Sequence, residues 1–175
     1  VIRREFRQLE SAWYDGGLIK LSKERVDRLG YFKDVEVETN EVAGAPDQVD
    51  LVVNVTEKPT GNLMIGAGYS NAEKLTFSAS IRQDNAFGSG NSLGIEVNTS
   101  RSARTLVIST MDPYWTVDGV SLALDAFYRT SRPINFLGES YDLKTPGASV
   151  RFGVPFSEYD TVYMGLGWER TELGT

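Results

Sequence analysis

The chain has 175 residues, of which 41% are hydrophobic and 24% charged, with a formal net charge of −6. That composition belongs to a folded chain and argues against disorder, and an acidic chain whose basic residues are scattered, apart from Arg3, Arg4 and Arg7, is poorly suited to gripping a nucleic-acid backbone. It has no cysteine and no histidine, which excludes thiol nucleophiles, thiolate metal sites, histidine-based triads and the usual zinc ligand sets.

No stretch of about 18 apolar residues is present, so no transmembrane helix is predicted. Val1 falls inside a helical pattern, which points to a piece of a longer protein. In VIRREFRQLESAWY, Ile2, Phe6, Leu9 and Trp13 recur at spacings of three and four and predict one helix with an apolar stripe for a core. Asp15, Gly16 and Gly17 should end it. A second helix is expected through LSKERVDRLG, with Ser22 as N-cap, Val26 and Leu29 inward and Gly30 as the stop. The period then changes to two: Phe32, Val35 and Val37 alternate with polar neighbours, as do Val49, Leu51, Val53 and Val55 after GAPD. Residues 1–58 thus read as a small α/β module, and residues 59–61 as a joint.

Beyond the joint every segment has period two. Leu63, Ile65, Ala67 and Tyr69 share a face, as do Leu75, Phe77, Ala79 and Ile81; Leu93, Ile95 and Val97; Leu106 and Ile108; Leu122, Leu124, Ala126 and Tyr128; and Val162, Met164, Leu166 and Trp168. With GASVRFGVP this makes about seven antiparallel strands, nearly all 9–11 residues long. Alternation alone fits a soluble sandwich, a lipocalin-like barrel or a membrane barrel. Three features favour lipid. The strand length suits a tilted bilayer crossing. The opposite face carries Arg82, Glu96, Asn98, Asp125, Arg129 and Arg151, too polar for a packed core. The even-numbered connections, which share one end of a meander, carry Phe87, then Tyr114 and Trp115, then Phe156 and Tyr159, the layout of an interfacial aromatic girdle. The longest connection, SRPINFLGESYDL, falls at the other end, as expected if that end faces outward and the short turns face the periplasm.

DNAFGSGN, residues 84–91, invites a phosphate-loop reading, but that needs a helix after the glycines and a strand pattern follows. It reads instead as a turn at the membrane edge, with Gly88 and Gly90 supplying the tight backbone and Phe87 the anchor. Asp125 and Arg129 are candidates for a pair on the polar face.

DNAFGSG after a strand, DPYWTVDGVSL two strands later, VIRREFRQLE and SKERVDRLGYF upstream, and VDLVVNVTEKPTG before the joint together resemble the BamA family of Gram-negative outer-membrane barrel-assembly proteins. The resemblance is collinear and covers essentially the whole chain. It implies an α/β POTRA module, partial, followed by antiparallel transmembrane β-barrel strands, a partial barrel. Residues 1–58 would be the C-terminal POTRA module lacking its start, in the periplasm, and residues 59–175 the N-terminal part of the barrel in the outer membrane. The family's inward loop with its Arg-Gly motif has no counterpart in this sequence. The resemblance also implies a non-enzymatic function without cofactor or metal: client barrels pair their own strands with the barrel's first strand at a lateral seam, here Gly61, Asn62, Leu63, Met64, Ile65, Gly66, Ala67, Gly68 and Tyr69. Its implied partners are nascent outer-membrane proteins, accessory lipoproteins of the assembly complex and the lipid bilayer, with no nucleic acid.

The sequence adds its own reason to look there. Gly61, Gly66 and Gly68 weaken the strand and loosen its register, although glycines can equally relieve crowding on an inner face. Rival readings are a POTRA-barrel translocation or autotransporter-assembly homologue, a porin, for which residues 1–58 have no use, and a soluble β-sandwich carbohydrate-active enzyme using Glu96 and Asp125 from neighbouring strands as acid and base.

Overall fold

Asp15 opens a helix rather than closing one. In the computed structural model, which describes residues 1–133 and 139–174, α1 covers only Ile2–Glu5 and α2 runs over Gly16–Arg28. The Asp15 carboxylate accepts from the Gly17 and Leu18 amides at 2.8 and 3.2 Å, satisfying donors that a helix start leaves orphaned. Ser22, expected as the cap, instead lies buried within α2, where its hydroxyl accepts from the Arg7 amide and donates to the Leu18 carbonyl. Gly30 ends the helix as predicted, at a φ of +73° that suits glycine.

The predicted stripe of Ile2, Phe6, Leu9 and Trp13 does not form. The backbone turns extended at Phe6, so those positions cease to share a face; Leu9 is 70% exposed and Trp13 96%. Gln8 takes the place of helical bonding. Its amide donates to the Trp13 carbonyl at 2.9 Å and accepts from the Asp15 amide at 3.1 Å, closing the intervening loop. Val26 and Val35 form the apolar centre of this unit. Beside them Glu5, only 4% exposed, receives Arg25 twice, Nη2 to its carboxylate at 2.8 Å and Nε to its carbonyl at 3.1 Å. The strands β1 (Phe32–Val42) and β2 (Ala45–Glu57) pair as a hairpin through Gly44, with Val35 opposite Val55 and Val37 opposite Val53.

The second unit begins at Gly61. Its strands β3 (Gly61–Ser70), β4 (Lys74–Gln83), β5 (Ser92–Thr99), β6 (Ala103–Asp112), β7 (Ser121–Ser131), β8 (Asp142–Pro155) and β9 (Thr161–Glu169) form one antiparallel meander. A short β10 (Glu172–Gly174) continues β9 along the same edge of β8 in unbroken register, Gly147 opposite Glu169 and Lys144 opposite Glu172. Pro146 causes the break between them. Its carbonyl accepts from the Arg170 amide at 3.0 Å, but proline has no N–H to return.

The register converts alternation into two faces. Leu63, Ile81, Ile95, Ile108, Ala126, Ala148 and Trp168 stand in one cross-strand row. Ile65, Ala79, Val97, Leu106, Tyr128 and Pro146 form the next. On the other face one row reads Asn62, Arg82, Gly94, Ser109, Asp125, Ser149 and Gly167. The apolar face is the more open one. Leu106, Ile108, Leu124 and Tyr128 are exposed, whereas Thr105, Val107, Asp125 and Phe127 are half-buried. The polar side is therefore the sheltered, concave side of a curved sheet, the arrangement of a barrel that shows its apolar band to lipid.

Connection length does not separate the two ends as expected. Residues 84–91, 113–120 and 156–160 lie at one end, while the turns 71–73 and 100–102 at the other are shorter than any of them. Only the connection at 132–141 is longer, and its residues 134–138 lie outside the described residues. The longer connections at the first end carry their own internal hydrogen bonds and so are folded turns rather than slack chain.

Breaking a buried ion pair from one side strands the other charge. Arg25→Met should therefore destabilise the first unit by about 3–5 kcal/mol, read as faster hydrogen exchange across α2 in the complete protein; unchanged exchange would show that Glu5 tolerates burial without its partner.

Candidate functional site

A meander leaves its first strand at an edge, and β3 occupies that position. Among the described residues it pairs only with β4, in an unshifted ladder from Gly61 opposite Gln83 to Ser70 opposite Lys74. In antiparallel pairing alternate residues aim their N–H and C=O groups away from the partner, so the other side of β3 presents a row of backbone donors and acceptors. All nine predicted residues, Gly61 to Tyr69, lie on this strand. Leu63, Ile65, Ala67 and Tyr69 belong to the apolar face, and Asn62, Met64, Gly66 and Gly68 to the polar one.

The glycines of β3 are not required by backbone geometry, since none of the three has a positive φ. Nor is their space taken by anything rigid. A Cβ on Gly66 would meet the Ser78 hydroxyl at 2.7 Å and one on Gly68 the Thr76 hydroxyl at 2.9 Å, both atoms that can rotate aside. Gly147 differs: the Phe127 ring from the neighbouring strand lies where its Cβ would go. In β8, glycine makes room for an aromatic; in β3, it leaves the inner face nearly empty. Around it lies a hollow of about 440 Å³ lined by small residues including Gly66, Gly68, Ser78, Asn98 and Thr105.

One end of the β3–β4 hairpin is tied down by a contact that no sequence pattern signals. Glu73, in the turn 71–73, reaches the next turn, where its carboxylate accepts from the Ser102 hydroxyl at 2.6 Å and the Ser102 amide at 3.3 Å. The Arg101 amide meets the Glu73 carbonyl at 3.4 Å, and the Arg132 amide donates to the Ser102 carbonyl at 2.7 Å. These bonds run as a strap across the successive connections of that end. Hydrogen bonding from Ser102, then Ser100, holds the Glu73 carboxyl below the ordinary carboxylate range, with a smaller contribution from Arg101.

The aromatic end is built from turns that orient single side chains. In DNAFGSGN, Asn85, Phe87, Gly88 and Gly90 all have positive φ. For Phe87 this left-handed conformation costs about 1–2 kcal/mol. It is offset by a closed set of bonds: the Ala86 amide to the Asn91 carbonyl at 2.7 Å, the Gly90 amide to the Asn85 side chain at 2.8 Å and the Ser89 hydroxyl to the Ala86 carbonyl at 2.6 Å. The turn buries Ala86 and sets Phe87 fully outside, at 102% exposure. A strand follows the glycines, as the phosphate-loop test required. Trp115 packs on Phe152 of the apolar face at 5.6 Å between ring centroids, Tyr114 is half-buried beside Gly119, and Phe156 and Tyr159 are exposed. Gly61 pairs with Gln83, so the chain enters β3 at this same end.

Two expected pairings on the polar face are absent. Asp125 approaches Arg151 at 4.0 Å and accepts from Ser149, while Arg129 lies over the Phe127 ring. Glu96 and Asp125 are not on neighbouring strands, because β6 lies between β5 and β7, and Glu96 stands in a row with Val107 and Phe127. That removes the carboxylate pair on which the carbohydrate-active reading depended. Among the described residues no cluster of carboxylates is arranged to hold a metal ion.

Residues 85–175 match the Omp85 superfamily domain, and residues 1–58 match POTRA, the surface antigen variable number repeat. The chain is 41% identical over its full length to the outer membrane protein assembly factor BamA of Neisseria meningitidis serogroup B, of which it covers 22%. It is 30% identical over 99% of its length to the factor of the same name from Buchnera aphidicola, covering 28% of that protein. Among solved structures, the crystal structure of BamA from Haemophilus ducreyi lacking POTRA domains 1–3 superposes with a TM-score of 0.83 at 35% identity, over 99% of this chain and 33% of that one. The chain thus spans between a fifth and a third of the length of these relatives.

The Glu73 strap makes a pH-dependent expectation. A carboxyl whose folded pKa is depressed contributes fully above its unfolded value and loses that contribution as pH falls through the folded one. Near neutral pH, Glu73→Gln should speed hydrogen exchange at the Ser102 amide; as acid protonates Glu73 in the unmodified protein, the difference should shrink to nothing. A difference that persists in acid would mean the strap does not depend on the carboxylate charge.

Proposed function

The chain belongs to the Omp85 superfamily, and on that footing we propose that it is part of an outer-membrane protein assembly factor that inserts β-barrel clients by pairing their strands with β3. In this reading residues 1–58 are a periplasmic POTRA module and residues 59–175 are the first strands of the barrel. The single observation that carries it is the thin inner face of β3, where Gly66 and Gly68 stand opposite only the Ser78 and Thr76 hydroxyls, on the first strand of a sheet whose apolar face is open.

Main-chain pairing explains how one site could serve many clients. A strand added to β3 would satisfy the outward N–H and C=O groups whatever its side chains, while its alternation would place apolar residues beside Leu63, Ile65 and Tyr69. Lipid imposes the direction of the reaction, because an unpaired backbone group in hydrocarbon costs several kcal/mol. The seam must also release its client. Glycines at 66 and 68 keep side-chain contacts on the inner face few, which weakens any one partner's hold. In the complete protein the natural partner of the β3 edge is the last strand of the same barrel, and clients compete with it.

The chain enters β3 at the end that carries Phe87, Tyr114, Trp115, Phe156 and Tyr159, so a periplasmic module upstream makes that the periplasmic end. These residues then anchor the inner boundary of the barrel at headgroup depth. Nascent outer-membrane proteins are the substrates of this reading, accessory lipoproteins its partners through the POTRA module, and no cofactor or covalent step enters it.

A cysteine at Met64, paired with cysteines at successive positions in the C-terminal strand of a stalled client, tests it in cells carrying the complete protein. Disulfides should form at one register and its immediate neighbours, on alternate client positions. A client that inserts with no disulfide at any register would make β3 an ordinary barrel strand. Replacing Gly66 and Gly68 together with valine should slow client insertion while the barrel still folds, since β-branched residues favour the strand by up to about 1 kcal/mol each; wild-type rates in that variant would remove the glycines from the mechanism.

A further inference from the structure

The apolar band of the second unit ends differently on its two sides. On the face shared by Leu106, Pro146 and Trp168, the next residue towards the 100–102 end is Arg104 in β6, Lys144 in β8 and Arg170 after β9. Arg104 stands opposite Thr130, Thr130 opposite Lys144 and Lys144 opposite Glu172, so two cations flank a hydroxyl in one cross-strand row that ends on a carboxylate. The other margin of the same face shows Gln83, Thr110 and Asp112 instead. Arg104, Lys144 and Arg170 outnumber Glu172 along one rim, whereas the other rim carries no cation at these positions.

Local pairing accounts for only part of the basic rim. Arg132 is bound by Asp142 at 2.6 Å and Arg170 by Glu172 at 3.3 Å. Arg104 and Lys144 make no ion pair among the described residues, and both are exposed. A hollow of about 140 Å³ opens beside Arg104, Thr130 and Arg132, with Asp142, already bound to Arg132, also in its lining. Cations at the edge of a membrane protein commonly reach for water. Water alone does not explain why they gather on one rim, on neighbouring strands, around a hydroxyl and directly beyond an apolar surface.

We propose that this rim binds the phosphorylated headgroup of an outer-leaflet lipid. Arg104 supplies a planar set of donors suited to phosphate oxygens, Lys144 a mobile point charge, and Thr130 a hydroxyl between them. The acyl chains of the same lipid would lie on Leu106, Tyr128 and Pro146, the next row inward. The site rests on the outer-membrane reading given above, in that it needs the 100–102 end to face outward.

The complete protein, extracted in mild detergent, would be analysed by native mass spectrometry with added bis-phosphorylated lipid A and with its dephosphorylated form. Arg104→Gln combined with Lys144→Gln should weaken retention of the phosphorylated lipid by about tenfold or more, as expected for two basic residues at an anionic lipid surface. The exchange variant, Arg104→Lys with Lys144→Arg, should retain most of it, and the dephosphorylated lipid should not distinguish the variants. Equal retention by the unmodified protein and the glutamine variant, or no dependence on the phosphates, would overturn the site. Labelling of Arg101→Cys by an impermeant maleimide on intact cells separates the two premises. Labelling with unchanged lipid binding removes the site alone; no labelling removes the outward orientation and the site with it.

Discussion

Backbone hydrogen bonding in a medium without water is the constraint on which the second unit depends. Every strand from β4 to β8 is paired on both sides, and the exceptions are therefore informative. One is local: Pro146 withholds an N–H, and β9 breaks opposite it. The others are the two edges of the sheet, the outer sides of β3 and β9. A soluble sheet can leave an edge to water at little cost, but the same edge beside lipid must find a partner.

The first unit is held by different means. Its apolar centre is small, Val26 and Val35, and polar groups do much of the fastening: Glu5 with Arg25, Ser22 beneath Arg7, Gln8 across a loop. Such contacts are directional, and each loses a fixed geometry when one member is removed. The sheet tolerates change at most single positions because its pairing is carried by the main chain. The two units thus respond differently to substitution, the first through particular side chains and the second through register.

The sheet was legible in the sequence because a strand's period survives without knowledge of its neighbours. Alternation within each strand puts Leu63, Ile81, Ile95 and Ile108 on the apolar face, and the register sets them in one row. The helical reading failed where a side chain outcompeted the pattern. Spacings of three and four from Ile2 to Trp13 fit a helix, yet Gln8 satisfies the backbone of the loop instead, and Asp15 rather than Ser22 offers its oxygen to free amides. The Glu73 strap had no signal at all, since its partner Ser102 lies two strands away and nothing in SNAEK marks the glutamate as more than a turn residue. The same limit applies to Glu96 and Asp125: alternation gives the face, but only strand order shows that β6 stands between them.

Side-chain support is distributed unevenly across the sheet, and in a direction that matters for the edge. At β7–β8, Phe127 covers Gly147, Arg129 covers Phe127, and Asp125 is shared between Ser149 and Arg151. At β3–β4 the inner-face pairs are Asn62 with Arg82, Met64 with Ser80, Gly66 with Ser78 and Gly68 with Thr76, and the two glycine pairs bring little beyond the ladder itself. Cross-strand pairs contribute about 0.2–1 kcal/mol each, so the glycine pairs leave the β3–β4 hairpin less supported by side chains than β7–β8. The strap at Glu73 holds the far end of that hairpin to the next turn. The opposite end of the hairpin is where the chain enters at Gly61, paired with Gln83.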